Sequence, residues 1–142
     1  MAESIKIVID TNVLVAAFRS TRGAANRLMM HLDDSRFEVA VSTPLLFEYE
    51  EVLKRPEMIT FISHEGVDSA IDNISSIAKN YEIFFLWRIL AKDPDDAFVL
   101  ELAVRAGAEY LITYNPKDFA SAADFGIKLI TPRDFLDVVR QL

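Results

Sequence analysis

The residues of this chain best equipped for chemistry are oxygen donors scattered widely in the primary order. Asp10-Thr11-Asn12 directly follows the apolar run Ile5-Lys6-Ile7-Val8-Ile9. Glu48 lies in the first third, Asp93, Asp95 and Asp96 form a cluster in the last third, and Asn115 and Asp118 follow soon after. Mg²⁺ and Mn²⁺ are hard cations that prefer oxygen, and Mg²⁺ keeps several waters while taking only one or two carboxylates directly. Such an ion lowers the pKa of a bound water, aligns it with a phosphodiester and neutralises the leaving oxygen, which is metal-assisted phosphodiester hydrolysis. Other metal chemistry is harder to build. With no cysteine there is neither a disulfide framework nor a thiolate zinc site, and His31 and His64 are too far apart for a helical metal pair.

Each acid also has a plainer reading. Asp, Thr and Asn cap helices that follow strands, so Asp10 can serve as a cap. On a helical wheel Leu45, Leu46, Tyr49, Val52 and Leu53 make one apolar face, with Glu48 and Glu50 on its two borders, and periodicity does not choose between them. Asp93 suits an N-cap, and Asp95 and Asp96 suit a first helical turn, although three acids exceed what capping needs. Asn115 before Pro116 is an ordinary turn pair, and Asp118 can cap a short helix.

What would bring these acids together is an alternation of strands and helices. Strands are expected near Ile5 to Ile9, Glu38 to Val41, Glu82 to Leu86, Tyr110 to Thr113 and Lys128 to Ile130, with helical segments in every gap and one at the end. That alternation implies an α/β fold with a parallel sheet covered on both faces. Thr43-Pro44, Asp93-Pro94 and Thr131-Pro132 each read as a capping side chain before a proline at the first helical position. The long stretch between the second and third strands holds two expected helices, Thr43 to Lys54 and Ser63 to Asn80, separated at Arg55-Pro56. In the second, Val67, Ala70, Ile71, Ile74, Ile77 and Ala78 recur at helical spacing, as a core stripe or a subunit contact. In a doubly wound sheet the strand ends lie along one edge, so the acids would converge there. Two carboxylates ~5 Å apart repel by roughly 3 kcal/mol at an effective dielectric near 20, which calls for a cation or a shared proton.

The 142 residues fit one domain spanning 1–142, with no linker, repeat or low-complexity segment. No apolar run approaches the roughly 20 residues of a membrane span, and Met1-Ala2-Glu3-Ser4 is neither basic nor part of an apolar signal core, so a cytoplasmic protein is expected. The net charge of −7, from 22 acidic and 15 basic residues, is opposite to that of a protein holding nucleic acid by charge alone. Any nucleic-acid role requires something to offset that charge.

Four segments in order resemble the PIN domain, a family of small metal-dependent nucleases that includes toxins of toxin–antitoxin pairs. They are Val8-Ile9-Asp10-Thr11-Asn12-Val13-Leu14, Ser42-Thr43-Pro44-Leu45-Leu46-Phe47-Glu48, Asp93-Pro94-Asp95-Asp96 with Leu102-Ala103, and Ala108-Glu109-Tyr110-Leu111-Ile112-Thr113 leading to Lys117-Asp118-Phe119. The similarity covers nearly the whole chain and is greatest to the bacterial and archaeal toxin branch, the VapC-like proteins. It implies a three-layer α/β/α fold with a mainly parallel sheet of four to five strands, a homodimer, an antitoxin partner and an RNA substrate. It places the first acid on Asp10, the helical glutamate on Glu48 and the third acid on Asp96, with Asp93 beside it. The family's usual Asp two residues beyond Thr113 is Asn115 here, so either Asn115 or Asp118 takes the fourth position.

In that scheme Asp10 and Asp96 are the main ligands of Mg²⁺ or Mn²⁺, joined by Glu48, while Asp93 or Asp118 acts through water or orients the nucleophile. Thr11, Asn12, Thr113 and Asn115 position these groups. Arg19, Arg22, Arg55 and Lys117, with Lys54, Arg88 and Lys92, are candidate RNA contacts, since arginine matches phosphate. A solvated face is the plainer reading of each. Tyr114 can stack on a base, although most aromatics here must be core; His31, His64 and Trp87 carry no specific signal. The first expectation is therefore a metal-dependent endoribonuclease of the toxin type. A non-catalytic PIN-like module that binds RNA or protein is the alternative, suggested by Asn115 and the acidic balance. An enzyme forming an aspartyl phosphate on Asp10 ranks last, because Asn12 stands where its second Asp would be and no lysine follows a late strand.

Overall fold

The computed structural model describes residues 4–84 and 96–142. Its sheet has five strands in the order β3-β2-β1-β4-β5, every adjacent pair parallel. These strands are β1 (Ile5–Ile9), β2 (Phe37–Val41), β3 (Lys79–Asn80), β4 (Tyr110–Ile112) and β5 (Lys128–Ile130). β1 lies at the centre, and its Ile7, Val8 and Ile9 are all buried, as expected of a parallel strand covered on both faces. The helices are α1 (Thr11–Arg19), α2 (Ala24–Met30), α3 (Thr43–Leu53), α4 (His64–Ile77), α5 (Ala97–Ala106) and α6 (Pro132–Arg140), with 3₁₀ turns at Pro56–Met58 and Pro116–Phe125. Edge-to-face rings of Phe37, Tyr110 and Phe135 pin α6 against β2 and β4, with centroids 5.3 and 5.8 Å from Phe135.

The local signals place most boundaries. β1 and β5 fall where expected, and Thr131 caps α6 by accepting from the Asp134 N–H at 3.2 Å. The cap of α3 is Ser42 instead of Thr43: its buried hydroxyl accepts from Leu45 N–H at 3.3 Å, and Thr43 and Pro44 are already helical. α4 starts after Ser63 but ends at Ile77, because Ala78 turns extended to enter β3; Val67 and Ile74 of its stripe are buried, making it core. The third strand is the main correction. It pairs at Lys79 and Asn80, upstream of the expected Glu82 to Leu86, because its partner β2 gives way at Ser42 to the cap of α3. Residues 82–84 lie outside any strand, while Phe85 and Leu86 fall outside the described residues, as does the expected helix start at Asp93-Pro94.

The strand order reverses direction at β1. From there the chain proceeds outward through β2 to β3, then crosses back to β4 and β5, so the gap between the ends of β1 and β4 is a topological switch point. Helices in parallel crossovers run against their strands, which sets the N-terminal ends of α3 and α5 at the same rim.

Candidate metal centre

Asp10 stands at the switch point. Its backbone N–H continues the sheet by donating to Ile112 O at 2.9 Å, and its side chain is 8% exposed. One carboxylate oxygen accepts from Thr11 N–H at 2.9 Å, and the other from the Thr113 hydroxyl at 2.7 Å. Asp10 is thus the N-cap of α1, so the plainer of its two readings holds, and the same carboxylate is the candidate ligand. Burial raises its pKa above the ordinary 3.8, the hydrogen bonds from Thr113 and Thr11 pull it down, and the charge of Asp118 pushes it up again.

Packing separates Glu48 from Glu50. The Thr11 hydroxyl donates to Glu48, drawing it to the residue beside Asp10, whereas Glu50 pairs with Lys54 at 3.4 Å. Between them Tyr49 points inward, 1% exposed, and its hydroxyl donates to the carbonyl of Ile9, the last residue of β1. Burial, then the charges of Asp10 and Glu48, hold the Tyr49 phenol far above its usual pKa, so it remains a donor. Spacing assigns Tyr49 only to an apolar face. The signal available was its hydroxyl, since a buried tyrosine needs a partner that phenylalanine would not.

The far wall is organised by Thr113, 2% exposed. Besides donating to Asp10, its hydroxyl oxygen accepts from Asn115 N–H at 2.9 Å and stands 3.5 Å from the Asn12 amide, while Asn12 Oδ1 accepts from Tyr114 N–H at 3.3 Å. Asn115 makes these contacts through its backbone, whose carbonyl also accepts from Asp118 N–H at 3.1 Å. Of the two candidates for the fourth position, Asp118 carries a charge that acts on Asp10, and Asn115 is neutral. Asp96, half-buried, precedes α5 with helical backbone angles (φ −89°, ψ −12°), and its side chain does not cap that helix. The topology puts it at the same rim. Asp93 and Asp95 lie outside the described residues.

The candidate donors are all oxygen, and a carboxylate whose pKa is raised by burial and then by a like charge is one that a cation would relieve. Among the described residues no group of three histidine, aspartate or glutamate side chains is arranged so that it could hold a metal ion.

The basic candidates are dispersed. Arg19 is exposed in the last turn of α1, its guanidinium 5.4 Å from the Phe61 ring centre and roughly 13 Å along the helix from Asp10. Arg22 is exposed in the turn that follows. Arg55, 3.7 Å from Glu51, lines with Glu48, Phe47 and Phe98 a groove of about 360 Å³, and Lys54 is held by Glu50 and Asp68. Lys117 is exposed next to Asp118, and Arg88 and Lys92 fall outside the described residues, as does Trp87.

The PIN domain model matches residues 6–117. No curated protein matches the chain in sequence. Among solved structures, VapBC2 from Rickettsia felis, bound to a DNA fragment from their promoter, superposes with a TM-score of 0.59 at 18% identity, over 88% of this chain and 98% of that one. VapBC-1 from nontypeable Haemophilus influenzae gives 0.59 at 16% identity, over 91% and 99%. At such identities the likeness is one of fold.

Proposed function

The chain belongs to the PIN domain family, and from that premise we propose that it is a metal-dependent endoribonuclease, the toxin component of a toxin–antitoxin pair. PIN domains are generally nucleases and generally use divalent metal ions. One observation carries the reading: hydroxyls from two elements, Thr113 on Asp10 and Thr11 on Glu48, join carboxylates distant in sequence at the switch point, within reach of the charge of Asp118.

Asp10 and Asp96, with Glu48, would hold Mg²⁺ or Mn²⁺. When bound, the ion supplies activation of water and neutralises charge on the phosphodiester. The remaining work belongs to the chain. Thr11, Thr113 and Asn12 hold the carboxylates in orientation, so little reorganisation is needed as charge develops. Asp118 or, on the family pattern, Asp93 would orient the attacking water and take its proton as its oxygen adds to phosphorus, while the bond to the leaving oxygen breaks and that oxygen takes a proton from solvent. Arg22, Arg55 and Lys117 steer phosphates toward the rim, with Arg19 further out. Asn115 positions through its backbone. The neighbouring structures are VapBC complexes, and on that likeness an antitoxin protein is the proposed partner; a homodimer is the proposed assembly on the family resemblance alone.

The test is cleavage of end-labelled RNA with Mn²⁺, with Mg²⁺ and with EDTA. Asp10→Asn and Asp96→Asn should each abolish cleavage that the metals support. RNA binding that is retained without any metal-dependent cleavage would favour the non-catalytic module.

A further inference from the structure

At the opposite end of the sheet from Asp10 lies a cavity of about 270 Å³. Arg27 and His31 at the end of α2, Arg36 of the turn that enters β2, and Arg140 of α6 line it. Its apolar floor is Phe37, Leu136 and Val139, and the three arginines are exposed. Phe37 pairs with Ile5, five residues before Asp10, so the cavity stands roughly 16 Å along β1 from the candidate metal centre. Only one of the arginines is spent inside the protein. Arg36 is forked onto Asp34, with Nε to Oδ1 at 3.0 Å and Nη2 to Oδ2 at 2.7 Å, and its Nη1 donates to the Val139 carbonyl at 3.2 Å. Hydrogen bonds from Arg36 hold the Asp34 carboxyl, the acid lining the cavity, down at about 2, so its charge is already matched. Arg27 makes no salt bridge among the described residues, and Arg140 has only an exposed contact with Asp137 at 3.8 Å. A cation in the last turn of a helix ordinarily complements its dipole, which accounts for Arg27 and Arg140 singly. It does not account for two helices turning them to one cavity in a chain of net charge −7.

We propose that this cavity binds a phosphate dianion, free or as the terminal group of a small monoester. Three terminal oxygens on a tetrahedral centre match guanidinium groups arriving from three elements, whereas a carboxylate is satisfied by one fork. An internal phosphodiester has two such oxygens and a single charge, so a nucleic-acid backbone fits less well. Concave walls dominated by one sign of charge focus the field on the occupant. The volume falls just below the roughly 300–1,000 Å³ of pockets that bury drug-sized ligands, so that occupant is small. This site is independent of the nuclease reading.

The test is calorimetric titration of the full chain with inorganic phosphate, adenosine 5′-monophosphate and acetate, in EDTA and with ionic strength held constant by chloride. Phosphate should bind one saturable site with a Kd of about 1 mM or tighter, and acetate at least about 10-fold more weakly. Arg27→Gln and Arg140→Gln, both at exposed positions, should each weaken phosphate about 10- to 100-fold, with unchanged melting temperatures in its absence showing that the fold is kept. The nucleotide binding more tightly than phosphate supports the site with a monoester on the apolar floor, and equal affinity supports it with free phosphate. No saturation by about 10 mM phosphate overturns the site, as does full affinity in both glutamine variants. Binding that Asp10→Asn removes would place the phosphate at the other rim and overturn it equally.

Discussion

Asp10 is held by two donors but has lost most of its water, and it feels a second carboxylate. Its folded pKa is therefore raised, so its favourable contribution to folding is present below the unfolded value of 3.8 and is lost as pH rises through the folded one. At neutral pH the ionised side chain costs stability. Asp10→Asn should then melt higher than wild type at pH 7, by about 0.5–2 kcal/mol, with the gain fading toward pH 4; calorimetry at both pH values measures it. Mn²⁺ should raise the melting temperature of wild type and leave that of the variant unmoved. Asp118 and Asn115 separate in the same way. Asp118→Asn should lower kcat/KM by about 100-fold or more, whereas Asn115→Ala, which keeps the backbone hydrogen bonds of that position, should cost less than about 10-fold in the same assay. What separates them is charge: Asp118 carries one that acts on Asp10, and the amide of Asn115 carries none.

α3 presents Glu48 and is tied to β1 by the Tyr49 hydroxyl on Ile9. Tyr49→Phe leaves that buried carbonyl without this donor, so it should destabilise the protein by about 1–2 kcal/mol in urea unfolding. Because Ile9 precedes Asp10, RNA cleavage should fall as well, with only partial recovery at saturating Mn²⁺. The boundaries legible in the chain were those written in local chemistry, such as the apolar run of β1 and the Thr131-Pro132 start of α6. The third strand was not, since a two-residue edge strand of Lys79 and Asn80 has no apolar pattern and exists only where β2 offers partners. Nor could a helical wheel choose Glu48 over Glu50, which occupy opposite borders of one face; the choice came from Thr11 on one side and Lys54 on the other.

At the scale of the molecule the balance of −7 sets the conditions for any RNA encounter. Without a divalent ion RNA binding should be undetectable by anisotropy. With Mn²⁺ it should appear and weaken as salt rises, because the remaining attraction is between phosphate and dispersed cations. Light scattering should give twice the chain mass for the proposed homodimer. The described helices include none long and apolar enough to cross a membrane. By itself the sequence determined the alternation of strands and helices, the absence of thiolate donors and the family, because each is carried by residues near one another or by composition. Only the tertiary structure decided that β1 and β4 lie side by side, placing Thr113 on Asp10 across 103 positions and Thr11 on Glu48 across 37. Strand order and helix rotation depend on packing among distant segments, and no local pattern encodes them.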